Sequence, residues 1–206
     1  MVNRSVLVEL FHAAFDDGFL KCLAQHIHDA YPDSVERAAL MDREFKRRAI
    51  PQIRHYIVQS RVRSLVKRFP GITAEIDYSD GHEPYTVLHS HNFYLTVSMA
   101  KEPGRLPRKS DFRQANATDN LFESIDPNKV ESFYAILAHV PLWDNSAPER
   151  LGVLFPDEFY SDVYESIDLT PLIDFDLEGT EIPSEDIDAP EPTLRKRLPK
   201  RKQEGA

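Results

Sequence analysis

The hydrophobic period of this chain changes once, at Phe69-Pro70-Gly71, and that change constrains the fold more than any other feature. Before it, apolar residues recur at helical spacing: Val6, Leu10, Ala13 and Ala14, then Leu20, Leu23, Ala24 and Ile27. Gly18, after Asp16-Asp17, divides this stretch into two shorter helices. Pro32 followed by Asp33-Ser34 reads as a stop and a new N-cap. A further helical segment runs from Val35 to Ala49, and Pro51 either kinks it or starts another helix that reaches Arg68. On that last helix Ile53, Tyr56, Ile57, Leu65 and Val66 form the apolar side, while Arg54, Arg61, Arg63, Lys67 and Arg68 fall largely elsewhere.

After the break the period is two. Ile72, Ala74, Ile76 and Tyr78 alternate with Thr73, Glu75 and Asp77, the pattern of a half-buried strand. Ser79-Asp80-Gly81 supplies a turn, Tyr85, Val87 and His89 a second strand, and Phe93, Leu95, Val97 and Met99 a third. Lys101 to Pro107 reads as a loop and Lys109 to Ala117 as a short helix. The apolar runs Phe133–Ala138 and Leu151–Phe155 predict strands buried on both faces, and Asp157 predicts the N-cap of a final helix holding Phe159, Val163 and Ile167. Helices first and strands second argue an α+β fold, with N-terminal helices packed on an antiparallel sheet of about five strands.

Charge places the domain boundary. Residues 154–193 carry thirteen Asp and Glu and no Lys or Arg, and residues 194–202 return six basic residues. Beyond Ile173 there is too little apolar surface to offset ordering entropy, so 174–206 reads as a disordered, acidic-then-basic tail on a single domain, 1–173. Within that domain residues 1–70 form the helical part and 71–173 the sheet part. Cys22 is the only cysteine, which excludes an intrachain disulfide and any cysteine-based zinc site or redox pair. The first residues hold no apolar run long enough for a secretory leader or a membrane span, and the chain reads as cytoplasmic.

No nucleophile elbow, phosphate loop or dinucleotide fingerprint occurs, so no catalytic residue and no cofactor is assigned. His89 and His91 are two apart, with His82 near in sequence and His139 on another strand, but no acid stands at a metal-ligand offset from the pair. Arg61, Arg63, Lys67 and Arg68, together with Lys101, Arg105 and Arg108, offer a candidate phosphate-binding surface. That surface defines the alternative reading, a nucleic-acid-binding protein or a metal-dependent nuclease with Glu75, Asp77 and Lys101. The net charge of −9 opposes it.

The stretch Arg108 to Glu123 ends differently from the rest, on an apolar pair set among polar residues: Thr118, Asp119 and Asn120, then Leu121 and Phe122, then Glu123 and Ser124. Thr118-Asp119-Asn120-Leu121-Phe122 resembles the short motif by which many bacterial replication and repair proteins dock on the DNA sliding clamp. In that motif a Gln is followed by two variable residues and then Leu-Phe, and Thr118 stands here in place of the Gln. With its small single-cysteine build and charged tail, the chain is similar to the SocB-like family of clamp-targeting toxins from bacterial toxin–antitoxin pairs. The resemblance implies a non-catalytic inhibitor of DNA replication whose partner is the sliding clamp. It also implies an adaptor-type antitoxin that delivers the toxin to a protease.

Overall fold

The computed structural model describes residues 4–79, 83–118, 120 and 132–173. The expected tail, 174–206, lies outside the described residues, as do Asp80 and Gly81 of the expected first turn. The elements run α1 (Arg4–Ala14), α2 (Asp17–Arg37), α3 (Arg43–Val66), β1 (Thr73–Tyr78), β2 (Pro84–Ser90), β3 (Phe93–Met99), α4 (Asp111–Ala117), β4 (Phe133–Pro141), β5 (Pro148–Pro156) and β6 (Val163–Asp168). The fold is α+β, with the helical part first, and the sheet has six strands in sequence order.

Every neighbouring pair of strands is antiparallel except β3 and β4, which are parallel, so the sheet is mixed. A parallel step needs a crossover of a dozen residues or more. The segment between Met99 and Phe133 supplies it, and its helix α4 covers the sheet face opposite α1–α3. On the face toward α1–α3, Leu88, Leu95, Val97, Ala135, Leu137, Leu151 and Val153 pack against Leu7, Phe11, Leu20 and Leu23. Phe11 meets Phe93 and Phe155 edge-on, each at 5.5 Å between centroids, the geometry in which the ring quadrupoles attract. On the other face Tyr134, Ile136 and Tyr160 close under Ala117. The central strand β4 is therefore buried from Phe133 to Val140 on both faces, as its continuous apolar run predicts.

Three local expectations change. Helix α2 runs through Pro32 to Arg37. A proline removes one backbone hydrogen bond, and the burial of Ala30, Tyr31 and Ser34 on both sides of it outweighs that loss. Asp33 and Ser34 serve other partners: Asp33 pairs with Arg61 at 2.5 Å, and Ser34 Oγ donates to Tyr31 O at 2.7 Å. The helix expected from Val35 to Ala49 is broken between Arg37 and Arg43, and Pro51 lies inside the continuous helix α3 that starts after the break. The expected final helix is the edge strand β6. Asp157 does cap a turn, accepting from Ser161 N, but Tyr160 at φ 53° ends that turn and the chain pairs with β5 from Val163 onward. Among the described residues no helix is long and apolar enough to cross a membrane.

Candidate functional site

The segment expected to dock begins where α4 ends. Thr118 is the exposed C-cap of that helix, its Oγ1 donating to Ala115 O at 2.5 Å. Asn120 points the other way and is 0% exposed. Its Nδ2 donates to Tyr134 O at 2.9 Å and to Pro156 O at 3.0 Å, and its Oδ1 accepts from Tyr134 N at 2.8 Å. Both amide hydrogens are used, so this side chain belongs to the interior and is withdrawn from the expected docking set. Asp119, Leu121 and Phe122 lie outside the described residues.

The structure separates the seven basic residues. Arg61 is held by Asp33 and by His26 O at 3.3 Å. Arg63, Lys67 and Arg68 are exposed at the end of α3, beside the starts of β1 and β3. His55 and Gln59, one turn apart on α3, contact Pro84 and Thr86, which fixes the direction in which the helix crosses the sheet. Lys101, Arg105 and Arg108 are exposed beyond the opposite end of β3, a strand about 20 Å long. They form two patches and no continuous phosphate track.

The histidines also part. Strand β2 stops at Ser90, and His91 turns at φ 49°, so the alternation that aligned it with His89 is lost. His89 Nε2 lies 2.9 Å from Glu75 Oε1, and Asp77 accepts from Tyr85 OH at 2.7 Å, which occupies both acids of the alternative nuclease reading. Among the described residues no three His, Cys, Asp or Glu side chains are placed to hold a metal ion.

A cleft opens where β2 and β3 diverge. The two strands pair from Ser90 and Phe93 to Val87 and Thr96, and in that register Thr86 would next face Val97. Gln59 stands between them instead: its Nε2 donates to Val97 O at 3.1 Å and its Oε1 accepts from Thr86 N at 2.6 Å. A side-chain amide thus replaces a rung of the ladder and holds the strands apart. The resulting cleft, about 220 Å³, is walled by His55, Tyr85, Ser98, Phe112, Arg113 and His139. Phe112 stacks on Tyr85 at 4.6 Å, and the Arg113 guanidinium lies over Phe112. Replacing Gln59 by Leu leaves two backbone groups unpaired and is expected to cost about 2 kcal/mol in urea unfolding. A cost below about 0.5 kcal/mol would show that the strands can close on their own.

Beneath the cleft is a buried polar group. Arg54 is fully buried, with its guanidinium 3.8 Å from the centre of the Tyr31 ring. Its Nη2 donates to Asn145 O and Oδ1, and its Nη1 has no partner. Tyr31 OH lies 2.8 Å from His139 Nδ1. Burial, with the nearby Arg54 and His55 charges, pushes the His139 imidazole down to about 3. Below about pH 6.5 the unfolded chain takes up a proton that folded His139 refuses, so stability present above that pH is lost as pH falls toward 3. The loss is at most about 1.4 kcal/mol per pH unit. His26, also pushed down by burial and then by Arg61, acts in the same direction. Urea unfolding between pH 7 and pH 5 is expected to show a steeper loss for the wild type than for His139→Gln, and equal slopes would contradict this assignment.

Composition and spacing missed this group. Arg54 was expected off the apolar side because of its residue type, yet it sits four residues after Ile50 and four before Val58, both buried on the same stripe. His139 had a usable signal, its position inside the apolar run from Phe133 to Val140. Comparison with known proteins found no matching family model, no matching curated protein and no matching solved structure.

Proposed function

We propose that this chain is a cytoplasmic, non-catalytic inhibitor of DNA replication that seats Leu121 and Phe122 in the apolar cleft of the bacterial sliding clamp. The observation that supports the reading is the anchoring of Asn120. Asn120 and Tyr134 are bonded to each other through both backbone groups of Tyr134, so described residues on either side of 121–131 are held together. A peptide held at its base loses less conformational freedom on binding than a free one. Burying a Leu and a Phe supplies about 3–6 kcal/mol. A micromolar site needs about 8 kcal/mol, and backbone hydrogen bonds in the clamp cleft supply the remainder.

Thr118 departs from the motif's Gln and is committed to the end of α4, so the apolar pair carries most of the contact. Occupation of the clamp then excludes polymerase and repair factors that use the same cleft, and an adaptor-type antitoxin that presents the toxin to a protease is the control this reading implies. The two separated basic patches give the nucleic-acid alternative little to work with. Titration of purified bacterial sliding clamp with the full chain tests the proposal. Saturable binding, displaced by a polymerase-derived clamp-binding peptide, is expected. Binding that such a peptide leaves untouched would place the contact elsewhere, and absence of binding would end the reading.

A further inference from the structure

Helices α2 and α3 pack together but do not end together. Arg54 Nε donates to Ser34 Oγ at 3.4 Å. Helix α2 stops at Arg37, three residues beyond Ser34, while α3 begins at Arg43, eleven residues before Arg54. The first turns of α3 therefore run past the end of α2. Every residue from Ala39 to Phe45 is exposed, as are Arg47 and Arg48. This free corner nevertheless carries large apolar side chains: Leu40 is fully exposed, Phe45 66% and Met41 42%. Phe45 stands nine residues before the buried Arg54, which is two and a half turns, so it leaves α3 on the side opposite the core. The same spacing sets Lys46 on one side of it and Arg48 on the other.

Arg37, Arg43, Lys46, Arg47 and Arg48 flank the apolar residues in sequence, and among the described residues none of the five is in an ion pair. The acids of the stretch are Glu36, Asp42 and Glu44. Asp42 at the N-cap and Glu44 in the first turn complement the positive end of the helix dipole, so the helix itself accounts for them. It does not account for the four cations in its first two turns, because that end disfavours positive charge. Side chains that work against the local fold and add nothing to its core mark a contact made with something else. Five basic against three acidic residues make the corner positive on a chain of net charge −9. Its complement carries negative charge at the surface and apolar matter just beneath. An anionic bilayer has that layering and needs no matching groove. A nucleic-acid backbone would meet the charge and leave Leu40 and Met41 in water.

We infer that the α2–α3 corner is a peripheral membrane-binding site, in which Leu40 and Phe45 enter the headgroup–acyl boundary of an anionic bilayer while Lys46, Arg47 and Arg48 meet its phosphates. Sedimentation of the full chain with vesicles of phosphatidylglycerol and phosphatidylcholine in equal parts is the test. Half-saturation is expected at about 1 mM accessible lipid or below, and no binding to phosphatidylcholine alone. Leu40→Ser/Phe45→Ser changes two exposed positions and should weaken binding at least about tenfold. Lys46→Gln/Arg47→Gln/Arg48→Gln should do the same. Arg63→Gln/Lys67→Gln, at the other end of α3, should change it less than about twofold. Absence of binding overturns the inference. So does a loss from the Arg63/Lys67 variant as large as that from the corner, or binding that both corner variants leave intact, which would assign it to other cations such as those of residues 194–202. Binding weakened by the charge variant and not by the apolar one also overturns it, the result expected of a nucleic-acid backbone, and a short DNA duplex in place of the vesicles reads that case directly.

Discussion

Replacing Asn120 by Ala is expected to destabilise the fold by about 3–5 kcal/mol, one of the largest effects a single substitution can have here. Three hydrogen bonds are lost at once, and each leaves a backbone group of Tyr134 or Pro156 without its partner in a site closed to solvent. The net value of each bond is about 1 kcal/mol, and the unpaired groups add their desolvation penalty. The penalty is not relieved by collapse, because Tyr134 and Pro156 belong to neighbouring strands whose ladder partners are already assigned. Urea unfolding should show a lower midpoint with an unchanged slope. Thr118→Ala, two residues away on the exposed helix end, should cost well under about 1 kcal/mol. A loss below about 1 kcal/mol for Asn120→Ala would mean that the described residues on either side of 121–131 are not held together in this way.

How far the fold was legible depends on how local each determinant is. The change of period at Phe69-Pro70-Gly71 marks the passage from helices to sheet, and α3 does end at Val66 and β1 begin at Thr73. Strands β2 to β5 follow from alternation or from continuous apolar runs, because burial on one or two faces is written directly into such patterns. The parallel pairing of β3 with β4 is not local. It depends on where a long connection returns to the sheet, and periodicity does not report that. At Pro32 packing outweighed propensity, and at Asp157 the capping signal was real but served a single turn.

The candidate sites were less legible for a related reason. Arg54, Gln59 and Asn120 are polar by type and buried by position, and each is stabilised by groups 14 to 91 residues distant in sequence. Residue type alone sends such side chains to the surface. The basic residues illustrate the converse. Arg63 to Arg68 and Lys101 to Arg108 share a charge, but the strand between the two groups carries them to opposite ends of the sheet.

The second large effect concerns the residues immediately after Asn120. If the pair docks as proposed, removing both apolar side chains by Leu121→Ala/Phe122→Ala should forfeit about 3–6 kcal/mol of burial in the clamp cleft, which corresponds to a loss of about 10²–10⁴-fold in affinity. The same change should leave unfolding of the chain within about 0.5 kcal/mol of the wild type, because docking side chains contribute little to a free domain. In the proposed reading neighbouring positions have opposite roles: Asn120 holds the fold, and Leu121 and Phe122 are proposed to meet the partner. The decisive measurement is the affinity of the full chain for purified sliding clamp, wild type against the double variant, with urea unfolding of each recorded alongside. The account predicts a folded double variant whose clamp binding is lost. A double variant that unfolds would move the pair into the core, and one that folds and still binds the clamp would show that the contact lies elsewhere.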